Sequence, residues 1–462
     1  MTSDPHANPV NARKGDLTRG SIGAHLVRLT VPMVWGLLAV ISFQLADTYF
    51  ISLLGTKALA AISFTFPVTF VLFSLLIAIN IATSSVVSRQ IGKGNWSRVR
   101  RLTTHAIMLA GMAGIVLGGI GIIVNDAVFR AMGAPAEMVA MVHDFMIIWF
   151  AGSVFMAVSM AGNAAIRATG ETTFPAMIMT VCALINIVLD PILIFGLFGA
   201  PKMGIPGAAI ATTFGYFVAA VAVLYVLARR KKMISSSLWH LRLFGDSFRR
   251  YIFIALPVGI TSVMQPITNA ILISLLAKTS HEAVAAFGVA SRIEAFSFIV
   301  IMALAIGMGP IIGQNWGAGQ FARVHEALNK SFFFVAAWSL GIAIVLAIFA
   351  RDVAGIFSQD PAVISATMHY FWIVPLSYIP GNVAQGWSSA FNAMGMPRQS
   401  FVMIFVRLIV LNIPLAFAGA HYFGVYGVFG SIAVTNLLVG AGFHARNWHL
   451  CRRQETPASA VA

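Results

Sequence analysis

Apolar runs of roughly 20 residues, the length that crosses a hydrocarbon core as a helix, alternate along this chain with short polar loops about twelve times. The pattern predicts spans near 26–54, 59–85, 103–124, 138–166, 174–198 and 205–228. A second set is predicted near 251–277, 284–311, 331–349, 364–391, 401–423 and 425–449. Composition agrees: 59% of the residues are hydrophobic, 10% are charged and mean hydropathy is +0.86. Soluble domains carry about 25% charged residues, so an all-α polytopic membrane protein is expected.

Charge orients the spans. Numbering the loops in order places 23 Lys and Arg on one side, in the amino-terminal segment, the 89–101 loop, the run Arg229 to Lys232 and later loops. The other side holds Lys57, Arg130, Lys202, Lys278 and Arg351. By the positive-inside rule the basic side is cytoplasmic and holds both termini. The net charge of +15 is therefore spread over lipid-facing loops, and nucleic acid is not an expected partner. The Arg229 to Lys232 run reads as an interfacial anchor, with a regulatory or partner site as the alternative. Residues 1–24 lack the short apolar core of a removable signal peptide. Cys182 and Cys451 imply no structural disulfide.

The chain also repeats itself. Pro32 and Pro257, Gly92 and Gly317, Gly94 and Gly319, Arg98 and Arg323, and Gly170 and Gly395 all stand 225 residues apart. GIPG at 204–207 returns as GVYG at 424–427. Six spans per repeat give both halves the same topology, so they are parallel repeats with a pathway expected at their interface. The expected organisation is a cytoplasmic segment (1–24), an amino-terminal lobe (25–228), a basic linker (229–250, with Ser235 to Ser237), a carboxy-terminal lobe (251–450) and a cytoplasmic tail (451–462).

Two aspartates, Asp47 and Asp190, fall within apolar runs of the first half. A carboxylate at that depth is costly and marks a functional site by default; the alternative is a bond to a neighbouring helix. Asn186 and Asp190 are four apart and share a helix face. At the 225 offset the aspartates map to Leu272 and Leu415, so this chemistry is confined to one repeat. A carboxylate held away from water favours its protonated form, which suits a pair that carries a proton. Glu294 is a third embedded carboxylate, with a cavity, interlobe or structural role open. Arg292 lies two residues away on a different helix face, and it and Gln265 are further candidates for a cavity or interlobe role. Arg407 is equally open, and Arg167 reads as a cytoplasmic-end anchor. Gly114 and Gly118 form a small-xxx-small packing face.

PMVWGLLAVISFQLADTYFISLLGTKALAAIS, SRQIGKGNWSRVRR, NAAIRATGETTFPAM, and NIVLDPILIFG followed by GIPGAAIAT resemble the multidrug and toxic compound extrusion (MATE) family, most closely its DinF-like branch. The resemblance implies two six-helix lobes around a central cavity in the cytoplasmic (inner) membrane. It also implies export of organic cations or amphipathic compounds against inward H+ or Na+. Carried over by position, Asp47, Asn186 and Asp190 match coupling residues, Thr212 a sixth-helix hydroxyl and Asn163 a fourth-helix amide. Na+ would be held by Asp47, Asn186, Asp190 and Thr212. Gln265 stands where another branch has a glutamate, which argues against carboxy-lobe Na+ coordination of that type.

Metalloprotease, P-loop and nucleophile-elbow motifs are absent from the sequence; no enzyme activity, cofactor or obligate protein partner is expected. A lipid-linked-precursor flippase remains an alternative, although only Arg292 and Arg407 are embedded bases. A channel would not need paired carboxylates in one repeat.

Overall fold

The computed structural model describes residues 16–235 and 241–452. Arg13, Lys14, Ser236, Ser237 and Arg453 lie outside the described residues, as do most of the expected amino-terminal segment and tail.

The described chain is helical: α1 (Ile22–Ser52), α2 (Thr56–Gly92), α3 (Trp96–Ala131), α4 (Ala136–Ala168), α5 (Thr173–Phe195), α6 (Ile205–Tyr225), α7 (Leu241–Ala277), α8 (His281–Ser297), α9 (Ile299–Gly317), α10 (Phe321–Ile348), α11 (Ala350–Phe357), α12 (Pro361–Ile373), α13 (Tyr378–Met394), α14 (Pro397–Phe405) and α15 (Ile413–Arg452). Among the described residues, 11 helices are long and apolar enough to cross a membrane. The last, Pro397–His449, is 53 residues long and is divided at Gly424 (φ 57°, ψ −134°), so it supplies two crossings. That gives the twelve the periodicity predicts.

The departures have local causes. The third span begins at Trp96 instead of near 103, because Asn95 caps the helix by accepting from the Arg98 N–H at 3.0 Å. An Asn cap satisfies one of the orphan amides of the first turn, so the basic residues 98–101 stay helical beyond the apolar slab. The span predicted over 284–311 is two helices meeting at Phe298. The tenth is interrupted by a 3₁₀ turn, Val374–Ser377, at Pro375, where the missing proline N–H breaks the α-helical ladder. Pro32, Pro67, Pro191, Pro257 and Pro310 lie inside unbroken helices.

Small residues set the helix spacing. A Cβ on Gly114 would lie 2.6 Å from Val154 Cα, and Ser153 Oγ donates to Gly114 O at 2.8 Å. The predicted small-residue face therefore joins α3 to α4 at backbone contact.

Each repeat's first helix packs on the opposite repeat at the basic end. Ile22, Leu26 and Leu29 of α1 join a core with Leu304, Ile311, Val324 and Trp387. Tyr251, Ile254, Ala255 and Val258 of α7 join one with Ala82, Val86, Leu102 and Ala106. Here too the lobes hydrogen-bond: Tyr251 Oη donates to Leu102 O at 2.9 Å, Gln314 Nε2 donates to Ala168 O at 2.8 Å, and Ser85 Oγ donates to Asn392 O. Leu17, at the same end, is also bonded to Gln314 and Asn315. The lobes are thus joined at the basic face by both hydrogen bonds and shared apolar cores.

Candidate ion-coupling site

Contacts between helices fix the levels of the candidate residues. Thr172 Oγ1 donates to Arg28 O at 3.4 Å, and a Cβ on Gly36 would meet Ala176 Cα at 3.1 Å. Helices α1 and α5 therefore run parallel in a register that brings Asp47 level with residues 187–191. On the other side of α5, a Cβ on Gly207 would lie 2.8 Å from the Leu193 carbonyl, and one on Gly215 would lie 2.7 Å from Asn186 Nδ2. This antiparallel register sets Thr212 within two residues of the level of Asp190. Asp47, Asn186, Asp190 and Thr212 thus lie at nearby levels in the part of the first lobe away from the basic face.

Their hydrogen bonding is incomplete. Asp190 is fully buried, and neither of its carboxylate oxygens has a partner. Asp47 is half-buried with Oδ1 unbonded. Asn186 Nδ2 donates to Cys182 O at 2.8 Å, leaving Asn186 Oδ1 unbonded. Four buried oxygen acceptors thus lie at nearby levels without a donor. Thr212 is half-buried.

Asn163 does not join them. Gly152 packs on Thr213 and Gly162 on Val223, which aligns α4 with α6 and leaves Asn163 about 13 residues below the level of Asp190. At 1.5 Å per residue that is about 20 Å. Its amide lies 3.5 Å from Ser159 Oγ. Of the five expected coupling residues, four lie at nearby levels and Asn163 lies apart from them. Arg167, expected as a cytoplasmic-end anchor, lies in the last turn of α4, where it is buried and its Nη2 donates to Asn80 Oδ1 at 2.8 Å. The ion pair of Lys231 with Glu171 does hold the basic run at the lobe's end.

The carboxy-terminal lobe uses its polar residues differently. Glu294 Oε1 accepts from both Tyr370 Oη and Tyr378 Oη at 2.8 Å. Arg407 Nη2 donates to Asn436 Oδ1 at 2.8 Å, and Asn436 Nδ2 donates to Ser377 Oγ at 3.1 Å. Of the roles left open for Glu294, the contacts favour a bond between helices of one lobe. Glu294→Leu would strand two hydroxyls at about 1–3 kcal/mol each. It is expected to lower the thermal midpoint in detergent well below that of Glu294→Gln, which keeps an acceptor. Gln265 is exposed on α7 and donates to Asn269 Oδ1 at 3.3 Å, while Arg292 is exposed on α8. Leu272, the counterpart of Asp47, is buried in an apolar cluster. Sequence reasoning missed Asn80, Tyr370, Tyr378 and Asn436; lone amides and tyrosines within apolar runs were the available signal.

Similarity to known proteins follows the same repeat. The MatE family model matches residues 32–192 and 257–418, two copies whose starts lie 225 residues apart. A protein of Shewanella oneidensis named "FAD transporter" is 37% identical over 94% of this chain and 96% of its own length. The "Probable multidrug resistance protein YoeA" of Bacillus subtilis is 26% identical over 86% of this chain and 87% of its own. The crystal structure of the Vibrio cholerae MATE transporter VcmN in the bent form superposes with a TM-score of 0.89 at 28% identity, covering 94% of this chain and 98% of that one. With both repeats matched and the twelve crossings in place, the chain belongs to the MATE family of membrane transporters.

Proposed function

We propose that this protein is a secondary active exporter of the inner membrane, moving bulky aromatic or amphipathic compounds outward in exchange for protons entering through the first lobe. The observation that carries this reading is the group of four donor-free oxygens on Asp47, Asn186 and Asp190, present in one repeat and replaced by leucines in the other. An ionised carboxylate buried without donors costs several kcal/mol, so Asp190 is stable there only with a proton or a cation. A proton supplies the missing donor, and Asn186 Oδ1, one helical turn away, is suited to accept it. Na+ fits the donor set by hardness, since every available atom is oxygen, and Thr212 would add a hydroxyl. The proton is preferred because it turns an acceptor into a donor.

With the basic face cytoplasmic, the joined ends of the lobes lie inward and the acidic group lies toward the outer side. Protonation from outside then favours cargo release, and proton loss inward resets the carrier. Proteoliposomes with an imposed pH or Na+ gradient test this: export of a fluorescent organic cation is expected to follow the pH gradient. Full export under a Na+ gradient alone would rule out the proton reading.

A second cargo reading rests on the 37% identical relative named for FAD. Flavin adenine dinucleotide is flat and aromatic, as the proposed cargo is, but anionic. Loading the same vesicles with FAD and with the cation separates the two readings by which compound moves.

A further inference from the structure

Just before α1 the chain makes a folded turn, residues 16–20, that leaves its own lobe. Thr18 N–H donates to Asp16 Oδ1 at 2.9 Å, and Gly20 takes φ +80° to turn the chain into the helix. Leu17, between them, is fully buried in the core of the carboxy-terminal lobe, with Val324, Ala390, Phe391 and Ala393. Its backbone is gripped as well: Leu17 N–H donates to Gln314 Oε1 at 3.0 Å, and Leu17 O accepts from Asn315 Nδ2 at 3.1 Å and Arg323 Nη2 at 3.2 Å.

Gln314 does two things with one amide. Its oxygen holds the strap, and its nitrogen donates to Ala168 O at the end of α4 in the first lobe. The helix that follows the strap is tied to the first lobe through Thr172 on Arg28 O and Gly36 on Ala176. Five residue steps lead from Leu17 in its socket to Ile22 at the start of α1. Fully extended they reach about 17 Å, so the strap limits how far the lobes can part here while Leu17 stays seated.

The socket has a counterpart. Met233, fully buried in the linker, sits among Val99, Ala165, Ile166 and Ala168 of the first lobe. Each of these lies 225 residues before a member of the Leu17 socket. The polar clamp is not repeated: Gln90, the counterpart of Asn315, has a buried Oε1 without a partner. Both repeats keep the apolar socket, and the backbone grip is built only around the strap.

We propose that residues 16–20 are a latch that locks the lobes together at the basic face, and that Leu17 leaves its socket before that face opens. This goes beyond the transport reading and does not depend on the cargo or the coupling ion. The test is hydrogen exchange of the backbone amides of 85–92 and 310–317 in the full-length protein. Leu17→Asp and Gln314→Ala are expected to speed exchange there about tenfold, and Met233→Asp less. Leu17→Cys and Val324→Cys, joined by a short thiol cross-linker in a chain with Cys182 and Cys451 replaced by serine, are expected to slow it. If Leu17→Asp loosens the whole lobe, the cross-linked protein decides. Parental exchange at the seal with the strap fixed in its socket would overturn the latch.

Discussion

Asp190→Asn is expected to abolish gradient-driven export while leaving a folded, cargo-binding protein. The substitution is nearly isosteric, and the carboxylate it removes has no protein hydrogen bond to lose. The new amide keeps an oxygen and adds a donor that can reach Asn186 Oδ1, so the variant imitates the protonated state permanently. Each proton moving inward contributes about 2.3 kcal/mol per 100 mV, and 1.36 kcal/mol is a factor of ten. Losing one coupled proton therefore lowers the attainable cargo ratio about 50-fold at 100 mV. Asp47→Asn, at a half-buried group, is expected to fall in the same direction by less. The measurement is the steady-state cargo ratio in proteoliposomes at fixed voltage and pH gradient, with cargo binding by fluorescence quenching as the check on folding. A parental ratio in Asp190→Asn would remove this residue from the coupling path.

The crossings and the duplication were legible because both leave periodic marks: apolar stretches of membrane length, and paired residues such as Pro32 and Pro257 at one spacing. The acidic group was legible as well, since Asp47 and Asp190 are costly residues in apolar surroundings and Asn186 is one turn from Asp190. The distance of Asn163 from the others was not legible, because resemblance assigns a residue to a helix without its level along it. The level is fixed by tertiary contacts such as Gly152 on Thr213 and Gly162 on Val223. The inward turn of Arg167 was not legible for a related reason. A basic residue at a helix end satisfies the positive-inside count whether it reaches water or turns inward to Asn80. Leu17 and Met233 gave no sequence signal, because one apolar residue in a polar stretch does not declare which lobe it enters.

Gly92→Val and Gly317→Val are expected to have the same effect on the seal, since the two glycines are repeat counterparts that face each other's helices. A Cβ on Gly92 would lie 2.9 Å from Gln314 Cα, and one on Gly317 would lie 2.9 Å from Arg89 Cα. Both close contacts are to backbone, which cannot rotate aside as a side chain can. Overpacking of this kind costs about 1–3 kcal/mol, and the parted state does not bear that cost. The population closed at the basic face should therefore fall about 5- to 150-fold relative to the parted one. Labelling of Ser88→Cys by an impermeant maleimide from the inner side, in a chain with Cys182 and Cys451 replaced by serine, reports this. Ser88 is buried in the same seal, where a Cβ on Gly313 would meet its side chain. Gly94→Ala separates gating from general destabilisation. Gly94 has φ +70° with nothing within 4 Å of its missing Cβ, so alanine strains the backbone without touching the interface. The double variant should label less than the product of the single effects, because lobes already parted by one valine no longer press on the other. Equal labelling in Gly92→Val and the parent would show that the closed state tolerates the added side chain, and that these glycines do not set the seal.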